Sequence, residues 1–236
     1  MNDLKNIVNP YLSIGDLHNQ GLDFIGQNLL SFEKIPNKTN ILITLSSNFV
    51  SRTNIFGNVS LNNLEATASY AMDYVLLDKY PKGFTQEQLI YAKKAEAIFD
   101  SYENPFDNFD LINQEIDIQV KDVINSNLTE NEQIPILSGL AVAKFSLYYW
   151  NEQISNPKSY WAQINDLQAI QNPNLKLNWP KINWGKVLKA DVKGAIAGFI
   201  RDFLGANAAL TGTITGAIAN SAAELIVQIY DNYYGN

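Results

Sequence analysis

FLGANAALTGTITGAIANSAA, residues 203 to 223, carries no charged side chain yet consists mainly of Gly, Ala, Thr, Ser and Asn. The stretch has the length of a bilayer span, for which about 20 apolar residues suffice. Its only large apolar residues are Phe203, Leu204, Leu210, Ile214 and Ile218, and the glycines, hydroxyls and amides between them weaken insertion. The motifs GAIAG and GTITG set Gly194, Gly198, Gly212 and Gly216 at four-residue spacing. That spacing lines small residues along one helix face and lets two backbones approach closely. The expected structure is an antiparallel hairpin, with one helix from Trp184, a turn at LGAN (204 to 207) and a last helix over about 209 to 230. Its role is helix packing.

Working back toward the N-terminus, helical periodicity recurs. Ile14, Leu17, Ile25 and Leu29 predict an amphipathic helix over 13 to 31, closed by Pro36. Ile41, Leu42, Leu45, Phe49 and Val50 share a face of a second helix behind Thr39, although the β-branched residues there also fit a strand. After a turn at 54 to 60, Leu61, Leu64, Ala68, Ala71, Met72 and Val75 trace a third helix that PKG (81 to 83) ends. Thr85 with Glu87 and Gln88 opens a fourth, carrying Leu89, Ala92, Ala95, Ile98 and Phe99. Asn104 and Pro105 precede a fifth between Asp107 and Asn125, and Thr129 with Glu132 opens a sixth that tolerates Pro135 and runs to about Asn151. Pro157, Pro173 and Pro180 make 154 to 183 read as a loop-rich connector.

No strand and helix alternation is present, so the fold class is all-α: a multi-helix bundle with a C-terminal GxxxG helical hairpin. The organisation reads as a bundle over 1 to 153, the connector over 154 to 183 and the hairpin over 184 to 236, packed together as one domain.

Composition narrows the functions. The 236 residues carry a net charge of −7. Such a chain is repelled by phosphate backbones, so no nucleic-acid partner is expected. The absence of cysteine removes thiolate nucleophiles and cysteine metal sites. The opening MNDLKNIVNPYLSIGD lacks the apolar run of a signal peptide, which fits either a cytoplasmic start or a trimmed N-terminus.

Catalytic signatures are sparse. His18, in GDLHNQGLD, is the only histidine. Asp16, Asn19 and Asp23 flank it as a candidate polar site, but neither aspartate has the three- or four-residue spacing that shares its helix face. Paired-histidine metal motifs are therefore impossible. The carboxylate pairs Glu115 with Asp122 and Glu130 with Glu132 read as solvated helix faces, and Ser146 and Ser159 lie in no GxSxG elbow. The aromatic run FSLYYW, 145 to 150, reads as core. No catalytic, metal-ligating or cofactor-binding residue is assigned, and no cofactor is expected.

One basic stretch stands out. Lys176, Trp179, Lys181, Trp184, Lys186, Lys189 and Lys193 precede the glycine-rich tail, opposed only by Asp191. Lys and Trp beside an apolar segment suit a membrane interface or a partner face, while lysines solvating a helix whose glycines pack inside give the same pattern.

The pieces NPYLSIGDLHNQGLD (9 to 23), SLYYW (146 to 150) and WGKVLKADVKGAIAG (184 to 198) resemble a family of uncharacterised bacterial proteins, many similar to exported or lipid-anchored envelope proteins. The resemblance implies a helical architecture and an envelope or secreted location. It carries no activity. The expected function is a non-enzymatic helical envelope or interaction protein that binds an unknown protein partner or a membrane surface. One alternative is a membrane-active, toxin-like protein whose tail inserts into a bilayer. Another is a small hydrolase or metal-binding protein centred on His18.

Overall fold

Local capping sets the helix starts. Thr129 Oγ1 accepts from Glu132 N at 3.4 Å while the Glu132 carboxylate accepts from Thr129 N at 2.8 Å, a reciprocal capping box. Thr85 and Gln88 repeat the arrangement at 3.2 and 2.9 Å. Asn104 caps a 3-10 turn, Pro105–Asn108, where proline occupies a position that needs no N–H donor.

A computed structural model describes residues 8–32, 37–53, 59–77, 80, 83–100, 102, 104–171, 182–201 and 206–234. These hold α1 (Leu12–Leu29), α2 (Lys38–Thr53), α3 (Leu61–Leu76), α4 (Gln86–Asp100), α5 (Phe109–Ile124), α6 (Glu130–Ser155), α7 (Tyr160–Gln171), α8 (Trp184–Arg201) and α9 (Ala206–Tyr234). No strand occurs among the described residues. The fold is an all-α multi-helix bundle.

The α8–α9 pair is its centre. Helix α9 packs on α1, α2, α3, α6 and α7, and α8 packs on α3, α4 and α6. Val187, Leu188, Val192, Ala195 and Ile196 of α8, with Ile214, Ala217, Ile218, Leu225, Ile226 and Ile229 of α9, join one continuous core with the apolar stripes of the surrounding helices. Each large aliphatic side chain so buried contributes about 1.5–3 kcal/mol.

The glycines set the separation of the two helices. A Cβ placed on Gly194 would fall 2.6 Å from Gly216 O, and one on Gly216 would fall 2.5 Å from Gly194 O. A Cβ on Gly198 would overlap the Gly212 carbonyl. Backbone thus meets backbone along the seam, an approach that any side chain blocks.

Buried polar residues of the tail find partners within their own helix, although Ser221 Oγ makes no hydrogen bond of good geometry. Thr215 Oγ1 donates to Thr211 O and Asn220 Nδ2 to Gly216 O, both at 2.8 Å. These bonds to the helix's own carbonyls satisfy side chains that would otherwise carry a desolvation cost. A segment long and apolar enough to cross a bilayer is thus buried in the protein core here, 78% of its span window inside the fold.

Several boundaries differ from the sequence expectations. The 38–53 segment, for which a strand also fitted, is the helix α2. The first half of the expected connector is helical: α6 continues to Ser155, Pro157 lies in a short turn, and Ser159 Oγ accepts from Ala162 N at 3.1 Å to start α7. Trp161 and Ile164 then anchor α7 in the core, which overrides the irregular pattern. Pro36 and most of the 54–60 turn lie outside the described residues, as do Pro81, Pro173, Pro180 and the 204–205 part of the hairpin turn; Ala206 and Asn207 already belong to α9.

Candidate functional site

His18 lies on the buried face of α1 with no exposed surface, beside Ser146 of α6. Its hydrogen bonds define the tautomer. Asn19 Nδ2 donates to Phe145 O at 3.0 Å, so Asn19 Oδ1 is the atom that faces His18 Nδ1, at 3.1 Å, and Nδ1 must carry the hydrogen. The same N–H points to Ser146 Oγ at 3.3 Å. His18 Nε2 is left as a bare acceptor, buried and without a hydrogen-bond partner. Desolvation accordingly depresses the imidazole to about 4, despite the Asn19 bond that opposes the shift.

Beyond Ser146 stands Asp191 of α8, also fully buried. Trp150 Nε1 donates to its Oδ2 at 3.2 Å, while Oδ1 makes no hydrogen bond of good geometry. Burial raises this carboxyl to about 7; Ser221, Ser146 and Trp150 hold it down in part and Glu224 raises it further. His18, Ser146 and Asp191 thus connect α1, α6 and the central hairpin.

The constellation has the residue types of a hydrolase but not its polarity. His18 donates toward the Ser146 oxygen, so the imidazole cannot withdraw the hydroxyl proton in this arrangement, and the serine faces the carboxylate directly. All three side chains are 0% exposed, which leaves no surface for a substrate to reach.

The other residues flanking His18 go elsewhere. Asp16 is exposed and accepts from Gln20 at 2.8 Å. Asp23 Oδ1 accepts from Tyr149 OH at 2.9 Å, and that phenol in turn accepts from Trp161 Nε1 at 2.8 Å. Partial desolvation raises the carboxyl of Asp23, an otherwise exposed residue, and the Tyr149 bond lowers it in part; burial and the Asp23 charge push the Tyr149 phenol strongly up. Asp16, His18 and Asp23 therefore do not converge, and only Asn19 shares His18's surroundings. No group of three or more His, Asp or Glu suited to a metal occurs among the described residues.

The basic stretch divides along α8. Trp179 and Lys181 lie outside the described residues. Trp184 turns inward, its ring 5.6 Å from Trp150 and 5.7 Å from Phe106. Lys193 is buried, 3.8 Å from Glu96 of α4, with the Tyr80 ring 5.3 Å from its ammonium. It belongs to the core rather than to a membrane or partner face. Among the described lysines of the stretch, Lys186 and Lys189 reach the surface, and Lys189 pairs with Asp100 at 2.9 Å. They border a cleft of about 430 Å³ where α4 ends and α8 begins, lined also by Phe99, Asp100, Tyr102, Asn183 and Gly185.

Nothing in the sequence marks Ser146 and Asp191 as a pair. A signal existed for Asp191: it is the one acid in a lysine-rich run, set three and four residues from Leu188 and Ala195 on an apolar face. Ser146 carries no comparable mark. No family model, curated protein or solved structure matches the chain.

Proposed function

We propose that the chain is a non-enzymatic helical interaction protein of the bacterial envelope, with its glycine-rich tail as permanent core and the Lys186–Lys189 end of α8 as its partner-binding surface. The observation that carries this reading is the full burial of His18, Ser146 and Asp191, while a cleft at the start of α8 opens beside Lys186 and Lys189. An acidic partner segment suits the exposed Lys186 ammonium beside Tyr102. The envelope location rests on the family resemblance.

The test combines turnover and contact. Purified protein is expected to be inert in a broad hydrolase screen; turnover abolished by His18→Ala would overturn the reading. A photo-crosslinking side chain at position 186 is expected to give a discrete protein adduct in bacterial cells that express the chain, and Lys189→Glu to diminish it.

A second reading, membrane insertion of the tail, is favoured by Leu210–Asp231, which is long and apolar enough to cross a bilayer although 78% of the span window is buried. Val227 is 44% exposed on α9, so a single cysteine there can carry an environment-sensitive fluorophore. A blue shift with anionic vesicles, together with dye release, would favour insertion. No shift is expected if the hairpin is permanent core.

A further inference from the structure

The two fully buried ionisable groups where hairpin meets sheath, His18 and Asp191, form no ion pair with a lysine or arginine among the described residues. Ser146 stands between them. Around them, α9 presents Glu224 to Asp191, α6 presents Tyr149, α4's Glu96 is engaged by Lys193 of α8, and α1's Asp23 lies beyond Tyr149. The charge that acts on Asp191 by proximity, Glu224, is acidic.

Proton placement follows from this geometry. A proton added to His18 would sit on Nε2, creating a buried cation whose N–H meets no acceptor. A proton added to Asp191 does the opposite, removing a buried anion that faces another acid.

We propose that His18, Ser146 and Asp191 form a proton-balanced lock seating the α8–α9 hairpin against α1 and α6, in which the protonation the core resists at His18 is offset by the one it favours at Asp191. The hairpin then stays seated from mildly acid to mildly alkaline solution, although each half of the lock alone is pH-sensitive.

The signs oppose over nearly the same window. His18 is lowered from 6.5 to about 4, so between these values the unfolded chain binds more proton and stability falls with acid. Asp191 is raised from 3.8 to about 7, so the folded chain binds more proton and stability rises with acid. The two contributions therefore offset each other in large part between pH 7.5 and 4.

The test compares wild type, Asp191→Asn and His18→Gln by chemical denaturation across that range, with amide hydrogen exchange reporting on α8 and α9. Relative to wild type, Asp191→Asn is expected to shift the equilibrium on the order of 100-fold toward unfolding as pH falls from 7.5 to 4. His18→Gln is expected to shift it by a similar factor toward unfolding as pH rises over the same range. Slopes of the same sign in both variants, or neither departing from wild type, would overturn the lock. A measurement on the unaltered chain decides even if a variant does not fold. His18 is the only histidine, so its ring resonances titrate without overlap. They are expected to move near pH 4, and a midpoint near 6.5 would overturn the proposal.

Discussion

Two ion pairs contrast the outer layer of the molecule with its centre. Lys144 of α6 meets Asp117 of α5 at 2.7 Å, with side chains 29% and 52% exposed. Lys193 of α8 meets Glu96 of α4 at 3.8 Å, with side chains 5% and 6% exposed. Distance alone ranks the outer pair as the stronger. Burial reverses the ranking for the damage done when a partner is lost, because water screens Asp117 but cannot reach Glu96. The outer layer is held by apolar stripes with polar groups turned to solvent, whereas the centre depends on backbone contact and a few polar groups that must be matched.

The largest effect that separates the two regions belongs to the glycine seam. Gly198→Leu drives a side chain into the Gly212 backbone, which cannot yield as a flexible side chain would. A loss of at least about 4 kcal/mol, or failure to fold, is expected. Equilibrium denaturation checks this, and a midpoint close to wild type would mean that the α8–α9 separation is not set by glycine. Lys193→Met comes next, at about 3 kcal/mol, because it takes the ammonium away from the buried Glu96 carboxylate. Adding Glu96→Leu is expected to restore most of that loss. If the double variant remained as unstable as the single one, the pair would not be the source of the damage.

The same division explains what could be read from the sequence. The amphipathic helices were legible because their apolar residues repeat at helical spacing: Ile112, Ile116, Val120 and Val123 of α5 are all buried. The hairpin was legible for a different reason. Four glycines at fixed spacing announce backbone contact, and they meet as Gly194 with Gly216 and Gly198 with Gly212. Helix α7 was missed because Pro157 marks a turn before it and its apolar stripe is short, so Trp161's anchoring role appears only once α1 and α6 surround it. The polar interior was the least legible part. His18, Ser146 and Asp191 come from three separate segments, and periodicity within a segment says nothing about which buried polar groups meet across segments. Lys193 illustrates the opposite error, since a lysine among lysines reads as solvent-facing until its own position on the helix turns it toward Glu96.

A smaller effect tests the outer layer through its local signals. Thr129→Ala removes the hydroxyl that accepts from Glu132 N and partners the Glu132 carboxylate at 2.8 Å. The expected cost is about 1 kcal/mol, in the usual range for a lost N-cap. Thr129→Ser retains the acceptor and is expected to recover most of it. Equal losses from the two substitutions would place the contribution in the threonine methyl group instead.

The smallest expected effect is also the sharpest test of burial against distance. Lys144→Met breaks the shorter ion pair, yet both of its side chains reach solvent, and the released Asp117 is rehydrated at once. The expected loss is roughly 0.5 kcal/mol, near the centre of the range for exposed pairs. Ionic strength supplies the discriminating measurement. At about 1 M salt the screening length contracts to about 3 Å, so a double-mutant cycle on Lys144 and Asp117 should lose most of its coupling. The corresponding cycle on Lys193 and Glu96 should keep nearly all of its coupling, because ions have no access to a pair 5% and 6% exposed. If both couplings fell together with salt, Lys193 and Glu96 would be solvated in solution and the hairpin would not be sealed at α4; if the outer coupling persisted, Lys144 and Asp117 would be shielded from water by more than the neighbouring helices provide.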